Sequence, residues 1–179
     1  MKTAALILAL SATAFAGDWT PPVEVRQDDN LCLTYRARLD GPYLVIRASI
    51  ESRWHTFAMD NKQRADEKLA GKPALSVDRP TSFTITGGAA IDGPWVQTQP
   101  KDFSRPQLRW FSWGFDREAI FAAKLKRTSV DPIQIAIRGQ ACTDTVCKNI
   151  DATLSLPSPP ESSPSPELDL KSLVPVRTN

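Results

Sequence analysis

The stretch Ile133–Cys147, IQIAIRGQACTDTVC, decides the fold, because an alternating segment runs directly into two cysteines separated by four residues. Three isoleucines fall on one face of this extended segment: Ile133, Ile135 and Ile137. The more polar residues between them fall on the other face. This alternation with a period of two residues is typical of a half-buried strand. We expect the strand to deliver Cys142 to its exposed end.

The residues after Cys142 predict a reversal of the chain. Thr143, Asp144 and Thr145 are short polar residues that favour turns. A turn here brings Cys147 back beside Cys142, where the two thiols can form a disulfide or take part in exchange.

Three interpretations of the cysteine pair remain open from spacing alone. A structural disulfide closing so short a loop contributes only about 2 kcal/mol on the chain-entropy model. A pair at an exposed turn also suits exchange, since exposed disulfides tend to be the labile ones. Metal binding is the third reading, and the C-x-x-x-x-C spacing differs from the C-x-x-C of thioredoxins.

The rest of the chain reads as short strands separated by turns. Segments with strand character are Val23–Arg26, Leu31–Leu39, Tyr43–Ile50, Trp54–Met59, Thr81–Thr86, Leu108–Phe115, Ala119–Lys126 and Asp151–Leu156. Asp60–Pro73 predicts a surface loop with at most a helical turn or two, and residues 89–107 an irregular region. Many short strands with almost no helix predict an all-β, immunoglobulin-like antiparallel β-sandwich.

The two ends of the chain differ in composition from the middle. Residues 1–16 carry one lysine, an apolar run and the pattern Ala14-Phe15-Ala16, which predicts a secretory signal peptide cut after Ala16. Residues 17–156 form the predicted domain, and residues 157–179 are Pro/Ser-rich and predict a disordered tail. We therefore expect a mature chain without a membrane span, placed in the periplasm or otherwise exported.

Charge and cysteine count narrow the class of protein further. The formal net charge is +2 with both signs scattered, which argues against a nucleic-acid or anionic-membrane partner. Three cysteines leave Cys32 without a local partner, on the strand face opposite Leu31 and Leu33. We expect it away from the core as a half-buried free thiol. Neither a hydrolase motif nor a cofactor motif is present, and we expect a monomer.

The run QACTDTVC after an alternating strand, with WHTFAMD at residues 54–60, resembles the N-terminal periplasmic domain of DsbD-type thiol:disulfide interchange proteins. That domain has an immunoglobulin-like fold with a cysteine pair in a hairpin. The matching positions here are Gln140, Cys142, Asp144 and Cys147. The best-known members have a slightly longer cysteine spacing and prolines soon after the second cysteine, where this chain has Lys148-Asn149-Ile150.

The resemblance implies a function in which the domain passes electrons to oxidised periplasmic proteins through mixed disulfides. Partners would be of thioredoxin-like or cytochrome c maturation type. Cys147 would form the mixed disulfide and Cys142 would resolve it. Lys148 favours a thiolate at Cys147, whereas Asp144 opposes one at Cys142. We expect a free-standing version, without membrane or thioredoxin-like domains.

The resemblance also implies an aromatic cap loop over the cysteines, for which Asp102 and Phe103 are the candidates. Trp54, His55 and Phe57 match the aromatic strand of that family, with core packing as their alternative role. His55 is the one histidine of the chain and could be a proton shuttle or a ligand. A copper or zinc site made with the two cysteines has suitable ligand types, but no motif places His55 near them.

Overall fold

Two antiparallel sheets pack face to face in the computed structural model, which describes residues 18–73, 78–157 and 168–178. The predicted signal peptide and residues 158–167 of the predicted tail lie outside these ranges. None of the helices within the described ranges is long and apolar enough to cross a membrane. The predicted all-β sandwich is confirmed.

The described residues form thirteen strands, more than the sequence predicts. In chain order they are β1 (Val23–Gln27), β2 (Asn30–Asp40), β3 (Tyr43–Ile50), β4 (His55–Phe57), β5 (Ser82–Gly87), β6 (Ala89–Ile91), β7 (Val96–Thr98), β8 (Lys101–Asp102), β9 (Trp113–Phe115), β10 (Glu118–Arg127), β11 (Ile133–Cys142), β12 (Cys147–Leu156) and β13 (Leu173–Pro175). The helices are α1 (Asn61–Leu69) and two 3-10 turns, Pro106–Leu108 and Leu170–Ser172.

Sheet order places the cysteine hairpin at one margin of the sandwich. The first sheet runs β1-β2-β3-β10-β7-β13, and β6 also pairs with β10. The second runs β12-β11-β4-β9-β8, and β5 also pairs with β11. Strand β12 is therefore an edge strand, whereas β11 lies between β12 and β4.

Alternation along the strands builds the core, as the sequence predicts. Fully buried large side chains come from both sheets and include Leu33, Tyr35, Leu44, Ile46, Phe121, Ile133, Ile135, Ile137 and Ile150. Burying one such aliphatic or aromatic side chain is worth about 1.5–3 kcal/mol. The core therefore holds the sandwich together without relying on the cysteine pair.

The β11–β12 hairpin extends further than predicted. The predicted final strand began at Asp151, whereas β12 begins at Cys147 and pairs without interruption from Ile133↔Leu156 to Cys142↔Cys147. Ile150 explains the difference, because it continues the inward alternation and is 2% exposed. The predicted strand at Leu108–Phe115 is shorter in the structure, because its first residue ends a 3-10 turn.

The segment predicted as a surface loop at residues 60–73 forms the nine-residue helix α1. The sequence did not predict this helix because several of its buried side chains are polar. These side chains are buried together with hydrogen-bonding partners, some of them from other elements. The Asp60 carboxylate accepts hydrogen bonds from Arg64 Nε and Gln97 Nε2, both at 2.8 Å, and from the Arg177 backbone amide at 3.1 Å. Gln97 Oε1 in turn accepts from the Met59 amide at 3.0 Å.

The Asp60 network also corrects the prediction of disorder for the described part of the tail, residues 168–178. Strand β13 pairs with β7, and Arg177 binds both Asp60 and the Glu67 carboxylate of α1. Low apolar content predicted that this segment could not pack. The segment is instead attached by the pairing of β13 with β7 and by the contacts of Arg177 with two carboxylates. A low apolar content does not rule out attachment of this kind.

The pKa of Asp60 is consistent with this network of hydrogen bonds. Burial alone would raise the pKa of Asp60, but the hydrogen bonds from Arg64, the Arg177 amide and Gln97 outweigh it and lower that pKa below 3.8. The carboxylate therefore stays ionised and binds α1, β7 and the C-terminal segment together.

Replacing Asp60 with alanine should lower the free energy of unfolding by about 3–5 kcal/mol, because the Arg64 guanidinium is left buried without its carboxylate. Asp66→Ala is the matched control, since it removes an exposed ion pair with Lys62 on the same helix. That change should cost only about 0.3–0.5 kcal/mol. Urea unfolding followed by tryptophan fluorescence measures both, and equal losses would contradict the assignment.

A pH series on the Asp60→Ala variant gives a second readout. A lowered folded-state pKa contributes stability above the unfolded value of 3.8 and loses it as pH falls through the folded pKa. The wild type should therefore lose more stability on acidification than Asp60→Ala does.

Candidate functional site

The candidate site is the disulfide between Cys142 and Cys147, which joins the directly opposed ends of β11 and β12. The turn between them is ordered by Thr143. Its hydroxyl oxygen accepts from the amides of Thr145 and Val146, each at 3.2 Å, and its amide donates to the Val146 carbonyl at 2.8 Å. The predicted polar turn therefore holds the two sulfurs together by local hydrogen bonds.

The two cysteines differ in exposure. Cys147 is exposed on the edge strand β12, whereas Cys142 is only 3% exposed on the central strand β11. The expectation that the strand delivers Cys142 to an exposed end is wrong, because β4 pairs beside it and covers that position. An attacking sulfur from another protein therefore has access to Cys147 rather than to Cys142.

His55 lies beside the pair, which sequence reasoning did not foresee. It is the register partner of Cys142 across the β4–β11 pairing, just as Cys147 is the partner across β11–β12. Directly paired residues of adjacent antiparallel strands share a sheet face. The three side chains Cys147, Cys142 and His55 therefore form a row across three strands.

Two phenylalanines enclose the imidazole of His55. Its ring centroid lies 5.2 Å from that of Phe103 in a tilted stack, and 5.3 Å from that of Phe57 in an edge-on contact. Burial lowers the pKa of His55, and the nearby Arg105 lowers it further. The carboxylates of Asp78, Asp144 and Asp116 oppose this shift without cancelling it. The ring is therefore neutral at neutral pH.

Phe103 belongs to a hairpin at residues 101–115, here called the cap hairpin. It contains β8, β9 and the 3-10 turn at Pro106–Leu108. The Phe103 amide donates to the Ser112 carbonyl at 2.9 Å, and Arg105 and Trp110 bridge the two arms. Residues 101–107, the last part of the region predicted as irregular, therefore belong to an ordered hairpin, and the earlier part of that region contains β6 and β7.

Buried contacts fix the base of the cap hairpin. Asn61, which is fully buried, accepts from the Trp113 amide at 2.7 Å and donates to the Asp78 carbonyl at 3.0 Å. Gly114 lets β9 approach β4 closely, since a Cβ there would lie 2.0 Å from the Thr56 carbonyl oxygen. The base is therefore held tightly against the sheet.

The tip of the cap hairpin is held by an exposed ion pair, by a cation–π contact and by a part-buried hydrogen bond. Arg105 forms an ion pair with Asp144 of the cysteine turn at 3.5 Å, and its guanidinium lies over the Trp110 ring. Trp110 Nε1 donates to Asp78 at 2.8 Å. An exposed ion pair of this kind is worth about 0–1 kcal/mol. The ion pair with the cysteine turn can therefore break at low cost, whereas the hydrogen bonds of Trp110 to Asp78 and of Arg109 to the Pro73 carbonyl hold the tip to the segment before β5.

The remaining predicted site residues have structural contacts. Asp102 is exposed and accepts from the Ser104 amide at 2.8 Å, while Gln140 accepts from the Arg79 amide at 3.4 Å. Trp54 and Phe57 are buried, at 9% and 0% exposure. Asp144, expected to oppose a thiolate at Cys142, is exposed and paired with Arg105.

A groove of about 700 Å³ lies beside the cysteine turn. Its walls come from the start of β2, the loop before β4 and the cysteine turn, with residues Asn30, Leu31, Glu51, Ser52, Arg53, Trp54, Thr143, Asp144 and Thr145. Sequence reasoning missed this groove and also missed Arg105, Trp110 and Asp78. These residues are far apart in the chain and carry no shared motif.

Cys32 is free and fully buried, so the expectation that it lies away from the core is wrong. Strand β12 packs against β1 and β2, and the β1–β2 pairing skips Cys32 between Leu31 and Leu33, which breaks the simple alternation there. Burial raises the pKa of this thiol. Within the described ranges, no group of three or more His, Cys, Asp and Glu side chains is arranged to hold a metal ion.

Comparison with known proteins bears on the fold. No family model and no curated protein matches the sequence. Among solved structures, the chain is similar to the N-terminal periplasmic domain of ScsB from Proteus mirabilis, with a TM-score of 0.54 and 17% identity over 83% of this chain and 53% of that chain. It also matches the reduced DsbD N-terminal domain of Neisseria meningitidis, with a TM-score of 0.37 and 13% identity over 66% of this chain and 77% of that one.

The likeness to the ScsB domain supports the class of fold, an immunoglobulin-like antiparallel β-sandwich. The predicted resemblance is confirmed at this level. This chain spans about half the length of the ScsB domain that it matches.

After reduction, Cys147 should react with iodoacetamide at least about tenfold faster than Cys142, because thiol reactivity follows exposure and thiolate character. Cys32 should react only after unfolding. Peptide mass spectrometry at increasing times measures all three rates. Equal rates at Cys142 and Cys147 would show that the burial difference does not control access.

Proposed function

We propose that this chain is an exported thiol:disulfide exchange protein that passes electrons to oxidised periplasmic partner proteins through Cys142 and Cys147. The observation that carries the proposal is the pairing of one exposed and one buried sulfur at the margin of a rigid sandwich. A structural staple gains nothing from such access, since burial of the core already stabilises the fold. The solved domain of ScsB that shares the fold is described as periplasmic, which supports an exported location for this chain.

The exchange proceeds in two steps from the reduced pair. The Cys147 thiolate attacks one sulfur of the partner disulfide, forming a mixed disulfide and releasing the other partner sulfur as a thiolate. Cys142 then attacks the Cys147 sulfur, which restores the internal disulfide and releases the second partner thiolate. Two electrons pass to the partner, and a dithiol donor protein reverses the steps to reduce the pair again.

Exposed apolar residues give the partner a place to dock. Of the described residues, three large hydrophobic side chains are exposed, and two of them flank the site: Leu108 at the cap hairpin tip and Val146 in the cysteine turn. The groove next to the turn can receive the chain that flanks the partner cysteines. These surfaces suit a thioredoxin-like or cytochrome c maturation partner, with the chain itself acting as a monomer.

Phe103 acts in this proposal as the shield of the pair. It covers His55, the neighbour of Cys142, from a hairpin whose base is fixed and whose tip meets the cysteine turn through an exposed ion pair. Cys147 is already accessible, so docking of a partner at Leu108 and Val146 displaces the tip and opens the buried Cys142 side of the pair. Asp102 supports Phe103 by ordering the backbone at Ser104.

The reduction potential of the pair should lie above about −300 mV, the value below which disulfides are inert structural bonds. Equilibration of the full chain with glutathione redox buffers, followed by mass spectrometry, measures it. A value below that limit would favour the alternative function, an interaction module with a purely structural disulfide.

The same proposal predicts a trapped complex with a periplasmic thioredoxin-like protein. The Cys142→Ala variant should hold the partner as a mixed disulfide through Cys147, because the resolving thiol is absent. The Cys147→Ala variant is the matched control and should trap at least about tenfold less, since Cys142 is buried. Non-reducing electrophoresis and mass spectrometry identify the adduct. Equal trapping by both variants would contradict the assigned roles.

Replacing Phe103 with alanine should speed reduction of the pair by dithiothreitol about 2–10-fold, since an aromatic contact of this kind is worth about 0.5–1.5 kcal/mol. Gln107→Ala, an exposed change in the same hairpin, is the control and should leave the rate within about twofold. The rate follows from timed quenching and thiol counting. An unchanged rate in Phe103→Ala would show that Phe103 does not limit access.

A further inference from the structure

The second exchange step poses a chemical problem that the proposed function leaves unsolved. A thiol attacks only as its thiolate, and burial in apolar surroundings disfavours that charged form. Cys142 is 3% exposed, so solvent has little access to take its proton. Asp144 is a poor acceptor, because its exposed carboxylate is paired with Arg105. Resolution therefore needs a base within the fold.

His55 is placed to supply that base. It is the direct register partner of Cys142, so the two side chains lie on one face of adjacent strands. Side chains paired in this way have Cβ atoms about 4.5–5.5 Å apart. Phe57 and Phe103 both contact the imidazole and restrict its position. No sequence motif joins these residues, since the pairing arises only from the sheet.

We propose that His55 accepts the proton of Cys142 when that thiol resolves the mixed disulfide. This inference rests on the proposed exchange function. The proton passes from Cys142 Sγ to the imidazole, and the resulting thiolate attacks Cys147 Sγ. The Cys142–Cys147 bond forms, the bond between Cys147 and the partner breaks, and the partner sulfur leaves as a thiolate. The imidazolium then returns its proton to that thiolate or to water.

The surroundings of His55 suit this role. Burial and Arg105 lower its pKa, which keeps the ring neutral and able to accept a proton at neutral pH. Asp78, Asp144 and Asp116 face it and stabilise the imidazolium once it forms. Displacement of Phe103 by a partner hydrates the ring and raises its pKa toward 6.5, so the base becomes stronger when a partner is bound.

Single-turnover oxidation of the reduced full chain by the aromatic disulfide dithiodipyridine tests the proposal. With excess probe, the first coloured thiopyridone reports attack by Cys147, at a rate proportional to probe concentration. The second reports ring closure by Cys142, at a rate independent of probe concentration. The small probe requires no partner protein, so the test does not depend on which protein is the partner.

His55→Gln should slow ring closure by about tenfold or more at neutral pH, as expected for loss of a general base. The first step should change by less than about threefold in the same variant. Over about pH 5–9, closure in the wild type should fall only where His55 becomes protonated. Closure in His55→Gln should instead rise tenfold per pH unit, because it depends on direct ionisation of Cys142.

His55→Phe keeps an aromatic ring between Phe57 and Phe103 but cannot accept a proton. Slow closure with the altered pH profile in both variants would support proton transfer. Closure at the wild-type rate in His55→Phe would overturn the proposal and assign His55 a packing role. Failure of the exchange function would appear separately, as a wild-type potential below about −300 mV or as equal trapping by both cysteine variants.

Discussion

The continuous pairing of β11 with β12 is the constraint on which the rest of the site depends. It runs without a bulge from Ile133↔Leu156 to Cys142↔Cys147. The isoleucines of β11 face the core, so a slip of one residue would turn them to solvent at a cost of several kcal/mol. Core packing therefore fixes the register, and the register places the two sulfurs opposite each other at the end of the hairpin.

Local pattern was sufficient for the strands but not for the surroundings of the cysteines. Alternation at Leu33, Tyr35 and Ile135 predicts inward faces, and the polar run after Cys142 predicts the turn. An alternating pattern predicts where a strand lies and which of its faces is buried, and neighbouring residues alone determine both. The fold class and the cysteine hairpin could therefore be predicted from sequence.

Features that depend on contacts between distant segments could not be predicted. Burial of Cys142 and its nearness to His55 arise from β4, which is distant in sequence and only three residues long. Helix α1 was hidden because Asp60 and Arg64 are polar residues buried through mutual pairing. The attachment of Arg177 likewise depends on a hydrogen bond from its backbone amide to Asp60 and on an ion pair with Glu67 rather than on apolar content.

The sealed position of Cys32 has a consequence for how the chain acquires its disulfide. In the unfolded chain all three thiols are equally available to an oxidant, and Cys32 can cross-link with either of the others. Once β12 docks over β2, Cys32 is withdrawn and only the local bond can form and reopen. The short separation of Cys142 and Cys147 favours their bond even before folding, because a short loop closes at a lower entropy cost, and closure of the sandwich then removes Cys32 from further exchange.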